Sequence, residues 1–261
     1  FSADYNYFSS FSSSWLAHSK AYVEKVVAEF GLNAQSKVVE IASNDGYLLQ
    51  YVKERGIPCL GIEPTASTAV EARRKGIETR EVFFGKKTAE ALVAEGWRAD
   101  LIIANNVLAH VPDINDFVAG FAVLLKPQGV ATFEFPHLMQ LVANNQFDTI
   151  YHEHFSYLSL MTVERIFAAH GLKVFHIEEL STHGGSLRVY AALESSSHAQ
   201  RSSVAALLEK EHKTGMDTVG YYDGFQARVD KVRDDFLNFL NDAKKAGKKI
   251  AGYGAAAKSN T

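Results

Sequence analysis

The segment Tyr151-His-Glu-His154 places side by side four side chains that can hold, move or stabilise charge. A histidine with a pKa near about 6.5 can accept a proton at neutral pH, as a general base must. A neighbouring carboxylate can fix the histidine tautomer, and a tyrosine hydroxyl can stabilise an oxyanion. Beside a ketone, such a set would remove a proton from carbon and stabilise the enolate. In an extended segment side chains alternate, so Tyr151 and Glu153 would face one side and the two histidines the other.

Two other interpretations of this segment stay open. A metal could be held by His152, His154 and His110, although their spacing matches no recognised metal motif. A polar loop that satisfies its own hydrogen bonds would also explain residues 136–158, which have only weak helical character. The chemistry therefore depends on the elements that hold these side chains beside a ligand.

The first of these elements is a predicted strand, loop and helix start at residues 38–47. An apolar run ends at Ile41 in small and polar residues, and a helical pattern begins at Tyr47, as in the first unit of an open α/β sheet. The loop is not Gly-x-Gly-x-x-Gly, and Asp45 would repel the pyrophosphate of a dinucleotide. The same anion suits S-adenosylmethionine (SAM), which has no phosphate and carries a sulfonium and an amino group. An ordinary strand-to-helix turn capped by Asn44 or Asp45 is the alternative.

Two further predicted strands end in polar residues at the same edge of the sheet. Residues 59–62 lead into Glu63, where a carboxylate can accept hydrogen bonds from both hydroxyls of a ribose. The most apolar strand is followed by Asn105, Asn106 and His110. Ligands of open α/β sheets bind beyond the carboxyl ends of the strands, so these side chains are predicted to lie over one crevice.

The alternation of elements predicts the fold. Five strands alternate with helices up to residue 135, as in a doubly wound α/β sheet. Lys126-Pro-Gln-Gly129 is predicted as a turn before the fifth strand, at residues 130–135. Strands 173–178 and 187–193 then form an antiparallel pair, which fits the Rossmann-like fold of class I SAM methyltransferases. The predicted organisation is an aromatic leader with a packing helix (1–30), the methyltransferase domain (31–195), a helical connector (196–246) and the start of a second Rossmann-like domain (247–261).

Two segments outside the strand ends could contact a ligand. The leader contains Tyr5 and Tyr7 and could fold over a pocket or only pack on the surface. The turn His183-Gly-Gly-Ser186 and the following Arg188 could contact a polar substrate. They could equally be only a hairpin whose glycines supply positive φ.

The glycine turn Gly252-x-Gly254-x-x-Ala257 follows a predicted strand near the end of the chain. It is a weak match to an NAD motif, because nothing of the remaining sheet follows. Its backbone N–H groups, with Lys258, could cradle a phosphate, a use that we prefer to an inert strand-to-helix turn. The chain begins at Phe1 and stops at Thr261, so we expect a piece of a longer protein.

Composition limits the partners and the compartment. The 261 residues are 47% apolar and 22% charged, which is typical of a globular protein. The net charge of −3 gives no reason to expect nucleic acid or an anionic membrane as a partner. A single cysteine, Cys59, excludes an internal disulfide and a cysteine-built zinc site. No apolar run reaches the roughly 18 residues that span a bilayer. We expect a cytoplasmic protein and favour a monomer, with the oligomeric state open.

Six motifs, in this order, resemble those of the nucleotide-sugar C-methyltransferases: Glu40-Ile-Ala-Ser-Asn-Asp-Gly46, Gly61-Ile-Glu-Pro64, Asn105-Asn-Val-Leu-Ala-His110, Tyr151-His-Glu-His-Phe-Ser-Tyr157, His183-Gly-Gly-Ser186 and Gly252-Tyr-Gly-Ala-Ala-Ala-Lys258. The resemblance implies SAM-dependent methylation of a carbon next to the keto group of a TDP-4-keto-deoxy sugar, in deoxysugar biosynthesis, with S-adenosylhomocysteine (SAH) as product. It also implies an N-terminal zinc module, which has no counterpart in this sequence, and a C-terminal Rossmann-like domain, of which only the start is present.

The resemblance also implies roles for residues of this sequence. His154 is the implied base, and Tyr151, Glu153 and His110 assist it around the enolate. The implied SAM pocket is lined by Glu40, Ser43, Asn44, Asp45, Gly46, Glu63, Pro64, Phe84, Asn105, Asn106 and Val107. The implied substrate contacts are Tyr5, Tyr7, His183, Gly185, Ser186, Arg188, Tyr253, Lys258 and Asn260. The alternatives are a SAM-dependent O- or N-methyltransferase of another small molecule and a nucleotide-sugar binding protein without catalysis.

Overall fold

Seven strands form one sheet within residues 7–252, which the computed structural model describes. They are β1 (Val38–Ile41), β2 (Cys59–Ile62), β3 (Thr79–Arg80), β4 (Ala99–Asn105), β5 (Leu125–Pro136), β6 (Leu172–Leu180) and β7 (Ser186–Leu193). Their order across the sheet is β3-β2-β1-β4-β5-β7-β6. The first five strands pair in parallel, whereas β7 pairs antiparallel with both β5 and β6. The predicted sheet with an antiparallel last strand is confirmed.

Helices cover both faces of this sheet. They are α1 (Ser13–Phe30), α2 (Leu49–Lys53), α3 (Ala66–Arg74), α4 (Lys86–Ala94), α5 (Ile114–Leu124), α6 (Leu138–Ala143), α7 (Leu160–Ala169), α8 (Ser202–Lys213) and α9 (Phe225–Lys245). The central strand β4 is apolar on both sides because its side chains alternate between two core layers. Ile102 and Ala104 pack in the layer that contains α4, α5, α7 and α8. Leu101 and Ile103 pack in the layer that contains α1 and α2.

Helix α1 is fixed at both ends and in the middle. The Ser12 side chain caps its start by accepting a hydrogen bond from the Trp15 N–H, and Gly31 ends it in the left-handed conformation with φ of 61°. The buried Tyr22 hydroxyl hydrogen-bonds the Thr132 hydroxyl of β5 at 2.5 Å. The helix therefore lies against the centre of the sheet, with its start at the edge where the predicted crevice opens.

The turn predicted at residues 126–129 lies within β5 as a bulge, and not as a loop before the strand. Ala99 pairs with Leu125 and Leu101 with Val130, so the four residues between Leu125 and Val130 stand opposite Asp100 alone and bulge out of the pairing. A Cβ on Gly129 would lie 2.6 Å from the Ala99 carbonyl oxygen. The missing side chain of Gly129 therefore lets the end of this bulge approach β4 closely.

The two C-terminal helices differ in how they contact the rest of the molecule. In α8, Val204, Leu207 and Glu211 are buried, and the helix packs against β6 and α7. In α9 no residue is buried, and Phe236 and Phe239 are more than half exposed. The predicted helical connector thus contains one helix that packs on the sheet and one that does not. Most of the predicted second Rossmann-like domain lies outside the described residues.

Between residues 7 and 252, no helix combines the length and the apolar character needed to cross a membrane.

Candidate functional site

The carboxyl ends of β1 and β2 form a narrow polar crevice. The backbone turns sharply after β1, with positive φ at Ala42 (56°), Asn44 (49°) and Gly46 (75°). In β2, Gly61 lies against Ser43, and a Cβ at this glycine would collide with the serine hydroxyl. The loop after β1 is therefore held tightly against the neighbouring strand.

Glu63, at the end of β2, is fixed in this crevice by backbone donors. Its carboxylate oxygens accept hydrogen bonds from the N–H of Asn44 at 2.8 Å and of Thr65 at 2.9 Å. Each oxygen has a second lone pair for a ligand. The nearby Glu40 is fully buried, and burial raises the pKa of its carboxyl well above the usual range, as do the charges of Asp45 and Glu63. The crevice therefore disfavours a further negative charge on Glu40.

Residues 7–12, which we call the strap, cross over the loop after β1. The Asn44 side chain accepts a hydrogen bond from the Ser9 N–H and donates one to the Tyr7 carbonyl, both at 3.0 Å. Asn44 Oδ1 also accepts from the Asp45 N–H at 2.9 Å. The amide of Asn44 is thus used to hold the strap, which closes one side of the crevice.

Asp45 is not the isolated anion that the loop sequence predicts. Its Oδ2 lies 3.0 Å from the Lys75 ammonium group, which also donates to the Ser10 hydroxyl at 2.6 Å. The positive charge of Lys75 offsets the negative charge of Asp45. The expected repulsion of a pyrophosphate is therefore weaker than the sequence suggests. Lys75 lies thirty residues along the chain, directly after α3, and no local pattern could have paired it with Asp45.

Several buried polar atoms at this edge have no hydrogen-bond partner among the described residues. They are Ser43 Oγ, Asp45 Oδ1, Thr65 Oγ1, Asn105 Oδ1 and Asn106 Oδ1. Buried polar groups are normally paired, and these are carbonyl-type oxygens or hydroxyls. An amino group and ribose hydroxyls would supply the missing donors, so the residues present fit SAM.

A cavity of about 350 Å³, which we call the His154 cavity, opens beside Asn106. Segments from four places in the chain form its wall. The lining residues are Asn106, Ala109, His110, Pro136, Gln146, Asp148, Thr149, Tyr151, His154, His183 and Gly184. The cavity therefore joins three motifs that the sequence analysis singled out separately.

Three rings meet in the His154 cavity. The ring centroid of His154 lies 4.5 Å from that of Tyr151 and 4.7 Å from that of His110. The His154 N–H donates to the Tyr151 carbonyl at 3.0 Å and closes a turn, so the predicted extended segment is wrong. His152 instead points outward, with a side chain 72% exposed and 3.9 Å from the Glu153 carboxylate. The turn thus brings together Tyr151 and His154, which alternation would have separated.

Neighbouring groups set the protonation of these rings. His154 Nδ1 lies 2.8 Å from the Thr149 carbonyl oxygen, which can only accept, so the neutral ring carries its hydrogen on Nδ1 and its lone pair on Nε2. Burial lowers the pKa of His110 below its usual 6.5 and nearby His154 adds to this, whereas Glu153 opposes it. Burial, followed by the charge of Glu153, raises the pKa of the Tyr151 hydroxyl. A neutral His110 and a protonated Tyr151 are therefore favoured.

One buried carboxylate contacts both ends of the segment that contains the turn at Tyr151–His154. Glu211 of α8 lies 2.7 Å from His137 Nε2, at the point where the chain leaves β5. The same carboxylate accepts the N–H of Leu160 at 2.7 Å and of Met161 at 2.9 Å, where α7 begins. Both ends of residues 138–159, which we call the cavity loop, are therefore pinned by one side chain.

Comparison with known families agrees with this geometry. Residues 15–177, more than half of the chain, match a family described as a methyltransferase domain. The chain belongs to this methyltransferase family. Residues 181–261 of the methyltransferase match a second family, described as a C-methyltransferase C-terminal domain.

Individual relatives cover this methyltransferase to different extents. The C-methyltransferase NovU of Streptomyces niveus is 35% identical over 98% of this chain, which spans 61% of NovU. A ubiquinone biosynthesis O-methyltransferase of Bartonella tribocorum is 29% identical over 42% of this chain and 48% of that protein. A SAM-dependent methyltransferase from Archaeoglobus fulgidus aligns with a TM-score of 0.53 and 15% identity over 67% of this chain and 93% of that chain. The chain thus spans about three-fifths of NovU and about half of the O-methyltransferase. The structural match establishes the class I SAM methyltransferase fold.

Most of the predicted cofactor residues lie in or directly after β1, β2 and β4. These are Glu40, Ser43, Asn44, Asp45, Gly46, Glu63, Pro64, Asn105 and Asn106. Two others lie in the core instead. Phe84 packs edge-on against Phe117 and Phe121, with ring centroids 5.6 and 5.2 Å apart, and Val107 is buried in the same layer.

The predicted substrate residues are divided between the cavity and its supports. His183 lines the His154 cavity. Ser186 is buried, and its hydroxyl donates to the Thr182 carbonyl within the hairpin at 2.9 Å. A Cβ on Gly185 would lie 2.6 Å from Gln140, so this glycine permits close packing. Arg188 is 4% exposed and does not line the cavity.

The remaining predicted residues lie elsewhere. Tyr7 is in the strap and is 60% exposed. Tyr5, Tyr253, Lys258 and Asn260 lie outside the described residues. Within residues 7–252, no three His, Cys, Asp or Glu side chains are grouped so that they could hold a metal; the outward-facing His152 is separated from the other two histidines of the metal interpretation.

Several residues that support the site were missed by sequence reasoning. They are Lys75, Gln146, Thr149 and Glu211, together with His18 and Glu134, whose side chains lie 2.9 Å apart near the end of β5. Glu134 follows the pattern that identified Glu63, a carboxylate near the end of a predicted parallel strand, and could have been found by it. Thr149 contacts His154 only five residues away, through a turn that no pattern predicted. The others act through contacts between distant segments, for which the sequence carries no local signal.

Proposed function

We propose that this methyltransferase transfers the methyl group of SAM to a carbon next to the keto group of a nucleotide-linked 4-keto-deoxy sugar, with TDP as the nucleotide. The observation that carries the proposal is the cluster of His154, Tyr151 and His110 in the cavity beside Asn106. A base, a hydroxyl donor and a neutral imidazole side by side suit removal of a proton next to a ketone. The matches to C-methyltransferase NovU and to the C-methyltransferase C-terminal domain family support the same chemistry.

The crevice at the ends of β1, β2 and β4 is the proposed cofactor site. Bound SAM would supply an electrophilic methyl group and leave as SAH. Glu63, Asp45 and Asn105 would hold it, because each has a carbonyl-type oxygen that can accept another hydrogen bond at this edge. Since backbone N–H groups already fix the Glu63 carboxylate, its position is set before a ligand binds.

His154 is the proposed base. The Thr149 carbonyl holds Nδ1–H at 2.8 Å and leaves the lone pair on Nε2 to accept the proton from carbon. When the ring becomes cationic, the same Nδ1–H···O contact becomes a charge-assisted hydrogen bond, which is stronger than a neutral one. One backbone carbonyl thus sets the reactive tautomer and stabilises the product of proton transfer.

Tyr151 and His110 would assist at the enolate. Tyr151 keeps its proton because burial, followed by the charge of Glu153, raises the pKa of its hydroxyl, and it can donate a hydrogen bond to the oxygen that gains charge. A neutral His110 avoids repulsion when His154, 4.7 Å away, becomes cationic. The carboxylate of Glu153 would balance part of that charge.

The test is methyl transfer by the whole protein from SAM with a ¹³C-labelled methyl group to a panel of TDP-4-keto-deoxy sugars. Mass spectrometry and NMR would locate the label. A label on the carbon next to the keto group is the expected result. Binding of SAM without transfer to any member of the panel would contradict the proposed acceptor.

Transfer to oxygen is the second candidate, favoured by the partial match to ubiquinone biosynthesis O-methyltransferases. It requires no carbon acid. The two candidates separate in D₂O, because only the proposed C-methyl transfer incorporates solvent deuterium next to the ketone before the methyl group arrives. A labelled methyl group found on oxygen would replace the first proposal with this one.

A further inference from the structure

We propose that Glu134 is a positioning residue that fixes the His183 wall of the His154 cavity through Thr182. The inference rests on the proposed function for the identity of the acceptor, but not for the geometry. Glu134 lies near the end of β5 with a side chain that is fully buried. A carboxylate in such a place must be paired, and its partners come from three distant elements.

Two of these partners are cationic or can become so. Glu134 Oε2 lies 2.6 Å from Arg188 Nη2 of β7 and 2.9 Å from His18 Nε2 of α1. Burial alone would raise the pKa of Glu134, but the hydrogen bond from His18 and the charge of Arg188 outweigh it and lower the pKa. Arg188 is itself shared with Glu178, at 3.3 Å. Glu134 therefore stays ionised and is a strong hydrogen-bond acceptor near the carboxyl end of β5.

The third partner connects this carboxylate to the cavity. The Thr182 hydroxyl donates to Glu134 Oε1 at 3.0 Å. The next residue, His183, has φ of 51° and ψ of 32°, an unusual conformation for a non-glycine residue, and it lines the His154 cavity. The Thr182–Glu134 hydrogen bond thus lies directly before a residue of the cavity wall with an unfavourable backbone conformation.

The other side of the hairpin is packed against the cavity loop. The Gln146 side-chain amide donates to the Gly184 carbonyl at 2.7 Å, and a Cβ on Gly184 would collide with that amide. The hairpin is therefore held between Glu134 on one side and Gln146 on the other. The ring of Trp15 also lies edge-on to that of His183, with centroids 5.6 Å apart, so loss of the contact with Glu134 would shift His183 while the hairpin stays folded.

The backbone of Glu134 acts on a second wall of the same cavity. Its carbonyl accepts the N–H of Asn106 at 2.6 Å, and Asn106 has a positive φ of 52°. One residue thus supports both non-glycine residues of the cavity wall that have a left-handed backbone, Asn106 and His183. This double contact distinguishes Glu134 from Glu178, which shares Arg188 but touches neither wall.

The experiment compares Thr182→Val with Thr182→Ser in the whole protein. Valine has nearly the shape of threonine but lacks the hydroxyl, whereas serine keeps it. We expect Thr182→Val to raise KM for the acceptor about tenfold, since a hydrogen bond to a charged group is lost. Thr182→Ser should remain within about twofold of the wild type, and SAH affinity should be unchanged in both variants. The thermal unfolding midpoint should fall in Thr182→Val, because a buried carboxylate oxygen loses a donor, and stay unchanged in Thr182→Ser.

A second readout does not depend on catalysis. The ring signals of His183 in ¹H–¹³C NMR spectra should shift in Thr182→Val and return in Thr182→Ser. Unchanged His183 signals and an unchanged KM in Thr182→Val would overturn the inference, as would equal effects in the two variants. If the wild type methylates no member of the sugar panel, the proposed function fails, and the His183 signals alone decide the role of Glu134.

Discussion

The crevice after β1 and the His154 cavity lie side by side but are built in different ways. In the crevice, Glu63 and Asn44 are buried at the ends of neighbouring strands. The Glu63 carboxylate accepts hydrogen bonds from the backbone N–H of Thr65, two residues along the chain, and of Asn44, after the adjacent strand β1. In the cavity, the rings of Tyr151 and His154 stand on a turn within a long loop. That loop is pinned at its base by Glu211 rather than supported along its length by strands.

This difference separates the part of the site that the fold dictates from the part that the chemistry requires. A crevice made from parallel strand ends is available to any protein with this sheet. A loop between two elements can carry a different set of side chains without disturbing the sheet. Changes in the cavity loop should therefore affect turnover, and changes around Asn44 should affect the cofactor.

The largest expected effect follows from His154→Ala. Without the base, turnover should fall at least about 1000-fold, while SAH affinity, measured by calorimetry, should remain within twofold. The matched control is His152→Ala, two residues away, because that side chain is 72% exposed. Near-normal turnover in His154→Ala, or an equal loss in the control, would remove the distinction between the two regions.

Glu211→Ala tests the base of the cavity loop. It leaves His137 without its carboxylate partner and two backbone N–H groups of α7 without an acceptor, so we expect a loss of about 3 kcal/mol in unfolding free energy. The acceptor KM should rise in the protein that remains folded, with SAH affinity preserved. Glu209→Ala is the control, since Glu209 lies on the same helix in an exposed pair with Lys213, which is worth about 0.5 kcal/mol at most. A loss of SAH affinity equal to that of the acceptor would contradict the separate support of the two regions.

Asn44→Gly tests the strap. Glycine accepts the left-handed backbone at this position, so the substitution removes the hydrogen bonds to Ser9 and Tyr7 without adding strain. We expect SAH affinity to fall about tenfold, in line with the loss of two or three hydrogen bonds. Asn33→Ala, in an exposed turn before β1, should leave it unchanged. Unaltered affinity in Asn44→Gly would mean that the strap does not contribute to the crevice.

The smallest effect concerns the pKa of His110. Because burial lowers this pKa and Glu153 partly raises it, Glu153→Gln should move the His110 titration, followed by NMR, to lower pH. An exposed control, Glu179→Gln on β6, should not move it. A shift to higher pH would show that the charge of Glu153 does not act on His110.

The same shift has a consequence for stability. The pKa of His110 is lower in the folded protein than its unfolded value of about 6.5, so the unfolded chain binds more protons below that pH. His110 therefore contributes to a decline in unfolding free energy as pH falls from about 6.5 to its folded pKa. Denaturant titrations of the wild type and Glu153→Gln would measure the difference.

The sequence predicted the sheet because its signals are local. Apolar runs that end in Glu63 or Asn105 located the strand ends, and the parallel order followed from the alternation of strands and helices. The antiparallel pair of β6 and β7 was predicted in the same way. The turn at 126–129 was predicted from its composition, but its place as a bulge inside β5 depends on the close approach of Gly129 to Ala99 of the neighbouring strand.

The site was predicted less completely, for a related reason. His154 and Tyr151 were recognised by their chemistry, but their proximity depends on the hydrogen bond that closes the turn. The pairing of Lys75 with Asp45 joins residues thirty positions apart, and that of Glu211 with His137 joins residues seventy-four apart. Periodicity and spacing describe single elements, and these contacts form only when the elements pack together.

The central claim is that His154 removes a proton from carbon, and solvent exchange tests it without methyl transfer. The whole protein, saturated with SAH, would be incubated in D₂O with a TDP-4-keto-deoxy sugar, and deuterium next to the keto group would be followed by NMR. Rapid incorporation is expected with the wild type, and incorporation at the uncatalysed rate with His154→Ala. Exchange at the wild-type rate in the variant, or none in the wild type, would contradict the claim.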